Sequence, residues 1–467
     1  MTSRRRLDGA GQRAEAAASP APEREAFVWG AATAAFQIEG ATKADGRGES
    51  IWDRFAAAPG KVANGDTGEP ACEHYYRWRE DLDLMRSLGL QGYRFSISWP
   101  RVQPDGRGLP NERGLDFYSA LVDGLLERGI APLATLYHWD LPQALEDAGG
   151  WTSRDIVERF AEYAAIVFDA LGDRVGDWIT HNEPYVTSFL GYAYGVKAPG
   201  RRDWPSALQA AHHALLAHGV VVRAFRESGL DGRIGLTLDL TVAQPAGASP
   251  ADAAAARRLD GHHNRWFLDP VLRGSYPADL LELYESRFGP LDAVREGDLE
   301  LIAQPLDFLG VNFYRPNLVA AADGVGVLGL REVDQDAETT AMGWPIVPAA
   351  LTELLVRVRN DYGEIPLLIT ENGAAFDDRL DGGGVVEDER RVAYVRGHID
   401  AVDRARAAGV DVRGYYVWSL LDNFEWEAGY GKRFGLVFVD FETQRRIPKR
   451  SALWYRDLIA TRSSGRE

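Results

Sequence analysis

The amino-acid sequence predicts an α/β fold, a single (β/α)8 TIM barrel with extended loops at the C-terminal face of its strands. Eight short apolar segments alternate with eight segments of helical apolar spacing, and strands separated by helices pair in parallel. No linker-like segment interrupts this alternation. Two of the apolar segments stop at a glutamate, Glu183 and Glu371, which is unfavourable in a buried strand unless the carboxylate is paired or used.

Each predicted strand is a short run of apolar, β-branched or aromatic residues. The fourth strand cannot continue past Pro184, and the seventh is followed closely by the turn pair Asn372-Gly373. In chain order, the strands are predicted at 27–37, 92–99, 131–139, 177–182, 233–240, 306–313, 367–370 and 414–420.

The segments between these strands carry apolar residues at three- and four-residue spacing, which is typical of helices that cover a sheet. In the first of them Leu82, Met85 and Leu88 fall on one face, and Ser153 is predicted to cap the third. The remaining length falls in loops, chiefly the Gly-rich, acidic segment 316–345 after the sixth strand. In chain order, the helices are predicted at 73–88, 114–128, 152–171, 206–228, 251–267, 348–361, 389–408 and 449–459.

The composition indicates two parts of the chain, a tail and one folded domain. Residues 1–25 are rich in Arg, Ala and Pro and are predicted to be a disordered tail, whereas 26–467 form the barrel. The tail has no apolar core of a signal peptide, and no run of about 18 apolar residues follows, so we expect a cytoplasmic protein without a membrane span.

Charge and cysteine content exclude several classes of partner. The net charge of −17 argues against non-specific binding to nucleic acid or to anionic membranes. Cys72 is the only cysteine, so the chain can form neither an internal disulfide nor a Cys-rich zinc site, and we interpret it as a small core residue. The oligomeric state is left open.

In a barrel of this kind the chemistry lies at the carboxyl ends of the strands. The fifth strand, which ends near Asp239, adds no side chain to which we assign a role. The other ends combine amides, an imidazole, a guanidinium, phenols, indoles and carboxylates: Gln37, Arg94, Tyr137, His138, Trp139, Asp140, Asn182, Glu183, Asn312, Tyr314, Glu371, Trp418, Asp422, Asn423, Glu425 and Trp426.

This mixture of side chains suits a sugar, whose hydroxyl groups need polar partners and whose C–H faces need flat aromatic surfaces. A phosphate site would need Lys, Arg or a Gly-rich loop, and the exit of the first strand, 37–40, does not have the glycine spacing of a dinucleotide site. The fourth and seventh strands lie on roughly opposite sides of an eight-stranded barrel. Glu183 and Glu371 are therefore predicted to face each other, as glycoside hydrolysis requires.

Four segments of the chain resemble the sequence motifs of glycoside hydrolase family 1, the β-glucosidase family. They are Phe27-Val28-Trp29-Gly30-Ala31-Ala32-Thr33-Ala34-Ala35-Phe36-Gln37-Ile38-Glu39-Gly40, Thr180-His181-Asn182-Glu183-Pro184, Ile369-Thr370-Glu371-Asn372-Gly373 and Trp418-Ser419-Leu420-Leu421-Asp422-Asn423-Phe424-Glu425-Trp426. The resemblance extends from about residue 27 to 459 and implies a retaining β-glucosidase without a metal or other cofactor. Its expected partner is a small β-glycoside or oligosaccharide.

The resemblance also implies a role for each matching residue. Glu183 would be the general acid/base and Glu371 the nucleophile, and Arg94 and Tyr314 would keep Glu371 ionised and oriented. The substrate-binding set would comprise Gln37, His138, Trp139, Asn182, Asn312, Tyr314, Trp344, Trp418, Glu425 and Trp426.

Within this set Asn182 would hold the sugar 2-hydroxyl, Trp418 would form the floor of the sugar pocket, and Trp344 would line the side of the leaving group. The intact pair Glu425-Trp426 implies a sugar that is not phosphorylated. The chain departs from the family pattern at Phe36, His181 and Phe313, none of which supplies a group that the mechanism needs. Strand alternation places His181 towards the helices rather than the site.

Several alternatives stay open at this point. His138, His181 and Glu183 could suggest a zinc hydrolase, although no His-x-His or His-Glu-x-x-His spacing is present. A sugar-binding protein without activity would be expected to lack one of the two glutamates. The residues do not distinguish hydrolysis from transglycosylation, or glucose from galactose, fucose or mannose.

Overall fold

The computed structural model describes residues 27–381 and 384–464, and the predicted tail over 1–25 lies outside these residues. Eight strands form a closed barrel in which each strand pairs in parallel with its neighbours in sequence and the last closes on the first. They are β1 (Val28–Ala32), β2 (Gly92–Ser96), β3 (Ala131–Tyr137), β4 (Asp177–Asn182), β5 (Arg233–Asp239), β6 (Phe308–Asn312), β7 (Leu367–Asn372) and β8 (Val412–Trp418). The predicted fold class is confirmed.

Helices follow the strands and form the outer layer of the barrel. The main ones are α1 (His74–Ser87), α2 (Glu112–Glu127), α3 (Asp155–Leu171), α4 (Trp204–Ser228), α5 (Pro250–Asp260), α6 (Pro348–Tyr362), α7 (Glu389–Ala407) and α8 (Arg450–Ser464). Shorter helices and turns lie at Ala35–Ile38, Ala44–Gly46, Ile51–Ala57, Ala63–Gly65, Trp99–Val102, Gln143–Asp147, Gly150–Thr152, Val186–Ala193, Gly261–Arg265, Trp266–Arg273, Ala278–Phe288, Asp298–Ile302 and Trp426–Gly431.

Some predicted boundaries were wrong. The segment 27–37 is not one strand, because β1 ends at Ala32 and a short helix, Ala35–Ile38, follows it. The helix predicted at 251–267 is divided, since the backbone widens to a π-helical turn over Gly261–Arg265. Two further helices between β5 and β6 were not predicted.

The long loop predicted over 316–345 contains strands of its own. Asn317–Ala321 pairs with Leu330–Glu332 in antiparallel fashion and with Ala243–Pro245 in parallel, which gives a three-stranded sheet. A separate two-stranded sheet pairs Val437–Asp440 with Arg445–Pro448. The three-stranded sheet lies beyond the ends of β5 and β6 and extends the barrel rim there.

The core lies between the barrel and its helices and is rich in aromatic side chains. Trp99, Trp151 and Trp266 are fully buried there, and so is Cys72, which agrees with its interpretation as a core residue. Within 27–381 and 384–464, no helix has both the length and the apolar character that a membrane crossing requires.

Candidate active site

A cleft with a volume of about 200 Å³ opens where the barrel strands end. Carboxylates and aromatic rings dominate its walls, which agrees with the expected sugar site. Of the residues singled out from the sequence, its lining includes His138, Trp139, Glu183, Tyr314, Trp344, Glu371, Trp418, Glu425 and Trp426.

Glu371 is held on both of its carboxylate oxygens. Arg94 Nη1 donates to Oε1 at 2.5 Å, and the Tyr314 hydroxyl donates to Oε2 at 2.5 Å. Glu371 and Arg94 are almost completely buried, so the ion pair is shielded from solvent. Arg94 projects from β2 across the barrel, and Tyr314 follows β6. This arrangement fixes the orientation of the carboxylate and favours its ionised form.

Glu183 has a different environment, because its direct hydrogen-bond partner is a neutral amide. Asn312 Nδ2 donates to Glu183 Oε1 at 2.5 Å. The same Nδ2 lies 3.0 Å from Asn182 Oδ1, which in turn accepts a hydrogen bond of 2.7 Å from Arg94 Nη2. Asn182 and Asn312 therefore connect the two glutamates through Arg94.

The pKa values of the two glutamates reflect these surroundings. Burial raises the pKa of Glu371, and the charge of Arg94 and the Tyr314 hydrogen bond act against that rise. Burial raises the pKa of Glu183 further, and the negative charges of Asp239 and Glu371 add to the effect. These surroundings favour ionisation of Glu371 over ionisation of Glu183.

Aromatic rings enclose one end of the cleft. The His138 ring is stacked with the Trp418 ring at a centroid distance of 5.8 Å, and the Trp139 and Trp426 rings are 4.5 Å apart. Asn182 Nδ2 lies 3.0 Å from His138 Nε2, which joins this wall to the network around the glutamates. These flat surfaces, with polar groups at their edges, suit the C–H faces and hydroxyl groups of a pyranose.

Polar atoms without a protein partner point to a ligand at the same end. Glu425 Oε2, Gln37 Oε1 and His138 Nδ1 are buried and accept or donate no hydrogen bond among the described residues. Gln37 does not line the cleft; its Nε2 donates to Asn423 Oδ1 and the Phe424 carbonyl. Burial raises the pKa of Glu425 to about 8, although the nearby ammonium group of Lys197 lowers it.

Three cleft residues have a left-handed backbone, which non-glycine residues rarely adopt. The φ angles are 79° at Trp139, 49° at Glu183 and 50° at Trp426. Each such residue costs on the order of 1–3 kcal/mol, and strain of this kind is concentrated at functional sites. The pairing registers of β4 and β7 also shift just before Asn182 and Glu371, which redirects the side chains at the strand ends.

A second pocket of about 290 Å³ adjoins the cleft and shares Tyr314, Trp344, Leu190 and Asp239 with it. Trp344 packs against Tyr314 with a centroid distance of 5.4 Å. The three-stranded sheet supplies part of the wall. The open space of the cleft therefore continues past Tyr314 and Trp344 into this second pocket.

Sequence reasoning missed three charged residues of the cleft: Asp239, Lys197 and Glu427. The expectation that the fifth strand contributes nothing was wrong, because Asp239 at the end of β5 lines both cavities. Lys197 Nζ forms an ion pair with Glu427 and lies 5.9 Å from the centre of the Trp139 ring. Asp239 could have been found by strand alternation, whereas Lys197 and Glu427 meet only through loop packing.

His181 lies outside the cleft, as alternation predicts. Its buried ring packs between Tyr137, Trp151 and Phe160, with a centroid distance of 4.5 Å to Phe160. His138 contacts Asn182 instead, so the three residues of the zinc alternative do not converge. Over residues 27–381 and 384–464, no group of three His, Cys, Asp or Glu side chains is arranged to hold a metal ion.

The profile of the family described as "Glycosyl hydrolase family 1" matches residues 20–464. The chain belongs to glycosyl hydrolase family 1. It is 47% identical over 435 residues to "Beta-glucosidase A" of Acetivibrio thermocellus, a match that covers 93% of this chain and 97% of the relative. It is 51% identical over 440 residues to "Thermostable beta-glucosidase B" of Thermobispora bispora, a match that covers 93% of this chain and 90% of the relative.

Solved structures of family 1 members agree with this assignment. The structure described as "Family 1 b-glucosidase from Thermotoga maritima" superimposes with a TM-score of 0.90 at 46% identity and covers 93% of this chain and 98% of that one. The structure of the β-glucosidase BglU from Micrococcus antarcticus superimposes with a TM-score of 0.90 at 51% identity. This match covers 93% of this chain and 97% of that one. The predicted membership of the β-glucosidase family and the prediction of a glycoside hydrolase are confirmed.

Proposed function

We propose that this family 1 glycoside hydrolase is a retaining β-glucosidase that releases terminal, non-reducing β-D-glucosyl residues from oligosaccharides and other β-glycosides. The barrel from residue 26 onward is proposed to act as one catalytic domain. One observation carries the proposal: two buried glutamates share one cleft, and only Glu371 contacts a cation directly, through Arg94.

In the first step, ionised Glu371 attacks the anomeric carbon while Glu183 gives its proton to the leaving oxygen. The bond between the anomeric carbon and that oxygen breaks, and a glycosyl ester forms on Glu371. The hydrogen bonds of Glu371 to Arg94 and Tyr314 keep its carboxylate in position for this attack.

In the second step, Glu183 acts as a base. It takes a proton from water as the water oxygen bonds to the anomeric carbon, and the ester bond to Glu371 breaks. Glu371 attacks one face of the sugar ring and water attacks the opposite face. Since each attack inverts the anomeric carbon, the configuration is retained overall. Retention implies carboxyl groups about 5–5.5 Å apart, whereas inversion implies about 6.5–9.5 Å.

The remaining residues of the predicted set are proposed to bind the sugar or to support the residues that do. Asn182 is assigned to the 2-hydroxyl, because its amide joins the hydrogen-bond network of both glutamates. The other hydroxyl groups are assigned to His138, Trp139, Glu425 and Trp426, with Gln37 behind these side chains. Trp418 is assigned to the floor of the sugar pocket. The region around the reacting carbon is assigned to Asn312 and Tyr314. Trp344 is assigned to the leaving-group side.

A panel of 4-nitrophenyl glycosides tests this proposal directly. The β-glucoside is expected to give a high kcat/KM and the α-glucoside none, and a 6-phosphorylated β-glucoside is expected to be a poor substrate. Proton NMR of the first product should show the β-anomer before mutarotation. A folded sample that releases nitrophenol from no β-glycoside, or that first forms the α-anomer, would contradict the proposal.

A further inference from the structure

Asp239 is a carboxylate in the cleft to which the mechanism above gives no role. It is the last residue of β5, its side chain is 23% exposed, and it lines both the cleft and the adjoining pocket. Its Oδ2 lies 3.1 Å from Nε2 of His263, whose ring is stacked on Tyr185 at a centroid distance of 4.1 Å.

The barrel register places Asp239 on the same rim as Glu183. In the β5–β6 pairing, Asp239 lies opposite Asn312, the residue that donates to Glu183. The Glu183 amide donates to the Thr237 carbonyl at 2.9 Å, two residues before Asp239. Because side chains alternate along a strand, Asp239 points to the same side as Thr237, whose hydroxyl contacts Thr370 inside the barrel.

The charges around these two carboxyl groups are unequal. Glu183 is faced by Glu371, Asp239 and the guanidinium of Arg94, while Asn312 and the phenol of Tyr314 are neutral. Asp239 is faced by His263, by the phenol of Tyr185 and, across the adjoining pocket, by Arg315 and Glu332. Arg315 and Glu332 form an ion pair of 2.9 Å with each other, so they contribute little net charge at Asp239.

We propose that Asp239 is a positioning residue that acts through Glu183, because its negative charge keeps the proton on Glu183 before the first step and strengthens Glu183 as a base in the second. This inference rests on the proposed roles of Glu183 and Glu371. The upward shift of the Glu183 pKa agrees with it, since burial is the largest cause and the charge of Asp239 the next.

The distinction between Asp239 and Glu371 lies in what happens to their charges during turnover. The charge of Glu371 disappears when its oxygen bonds to the anomeric carbon, so its effect on Glu183 disappears as well. The charge of Asp239 persists in the glycosyl-enzyme. Glu183 therefore retains a raised proton affinity when it removes the proton from water. It then holds this proton until it donates it to the leaving oxygen of the next substrate.

The first test is the pH profile of kcat/KM for 4-nitrophenyl β-glucoside with three variants. Asp239→Asn keeps the shape and removes the charge, so its alkaline limb is expected to move down by about 0.5 pH unit or more. Asp239→Glu restores the charge and should return the limb to the wild-type position. His263→Gln disturbs the same contact without removing the charge of Asp239 and should not lower the limb.

Activity of the wild type on the β-glucoside tests the proposed function, and the variants test the role of Asp239. Two outcomes with the variants would overturn the inference about Asp239 even when the wild type is active. One is an unchanged alkaline limb in Asp239→Asn with only a raised KM for disaccharides, which would make Asp239 a substrate contact. The other is an equal downward shift in His263→Gln, which would make the effect structural.

A second test does not depend on activity. Carbon-13 NMR of protein labelled at the Glu carboxyl carbons follows the titration of Glu183 directly, with the resonance assigned by its loss in Glu183→Gln. The midpoint is expected to fall in Asp239→Asn and not in His263→Gln. A midpoint that is the same in wild type and Asp239→Asn contradicts the inference whatever the substrate proves to be.

Discussion

The phenol of Tyr314 donates a hydrogen bond of 2.5 Å to Oε2 of Glu371. Since Arg94 occupies Oε1, both oxygens of the carboxylate are engaged. A hydrogen bond donated to a carboxylate stabilises its charged form. Tyr314 therefore affects the protonation of Glu371 as well as its orientation, and the two effects can be separated experimentally.

Tyr314→Phe removes this hydroxyl and keeps the ring. Because the pKa of Glu371 is already raised by burial, loss of the donor raises it further, and activity falls as the pH drops through that value. The acidic limb of kcat/KM is expected to move up by about one pH unit, while the alkaline limb, assigned to Glu183, stays in place. A matched profile of wild type and variant checks this, and a shift of the alkaline limb alone would contradict the assignment.

Trapping the intermediate identifies the nucleophile. A 2-deoxy-2-fluoro β-glucoside with a good leaving group should inactivate the enzyme with one sugar bound per chain, because the fluorine slows hydrolysis of the ester more than it prevents its formation. Peptide mass spectrometry is expected to place the label on Glu371. Glu371→Gln is the control and should remain unlabelled, and a label on Glu183 or Asp239 would reverse the assignment.

Glu183→Ala removes the proton donor of the first step. For substrates whose leaving group needs protonation, such as disaccharides, kcat/KM is expected to fall by about 10²–10⁴-fold. For 2,4-dinitrophenyl β-glucoside, whose leaving group needs no proton, kcat/KM should change far less. Comparing the two substrates in the same preparation measures the acid role, and equal losses for both would argue against it.

Glu425 makes the stability of the folded chain depend on pH. Burial raises its folded-state pKa to about 8, so between the ordinary carboxyl value and about 8 the folded state binds more protons than the unfolded state. The free energy of unfolding therefore decreases as the pH rises through this window. Glu425→Gln lacks this titration, so the difference in Tm, variant minus wild type, should increase from pH 5 to pH 8. A difference that is constant with pH would contradict the shift.

Lys449 holds the loop that carries Glu425 through a buried ion pair. Its Nζ contacts Asp422 Oδ1 at 2.6 Å and Asp378 Oδ2 at 2.5 Å, and all three side chains are nearly inaccessible. Lys449→Met removes one cation from this buried cluster, in which Arg433 still pairs with Asp422 and Arg391 with Asp378. It is expected to lower the free energy of unfolding by about 3 kcal/mol, the lower end of the cost of breaking a buried ion pair. Glu364→Gln, which breaks an exposed pair with Arg359, should change it by less than about 1 kcal/mol in the same denaturant titration.

Most of the fold was predictable from the sequence because the barrel repeats one local pattern. Alternating strand and helix signals place Glu183, Glu371 and Asn312 at strand ends, and the barrel brings those ends together. The hydrogen bond between Asn312 and Glu183 could not be predicted, since it depends on register shifts in β4 and β7 that leave no signal in apolar periodicity.

The loops were the less predictable part. The segment 316–345 has little apolar periodicity, yet its first strand, Asn317–Ala321, pairs with a partner more than 70 residues earlier in the chain, at Ala243–Pro245. The ion pair of Lys197 with Glu427 joins residues that are 230 positions apart in the sequence. Such contacts are decided by tertiary packing.

The three-stranded sheet beside the cleft has a consequence for how this enzyme diversifies. Its strands contribute Asn317 and Glu332 to the adjoining pocket, whereas the rings that enclose the sugar end come from the ends of β3 and β8 and from the loop after β8. Under the proposed function, selectivity for what the sugar is attached to is expected to reside in a segment separate from the one that recognises the sugar. Grafting that segment between relatives should exchange leaving-group preference and leave glucose recognition with the recipient.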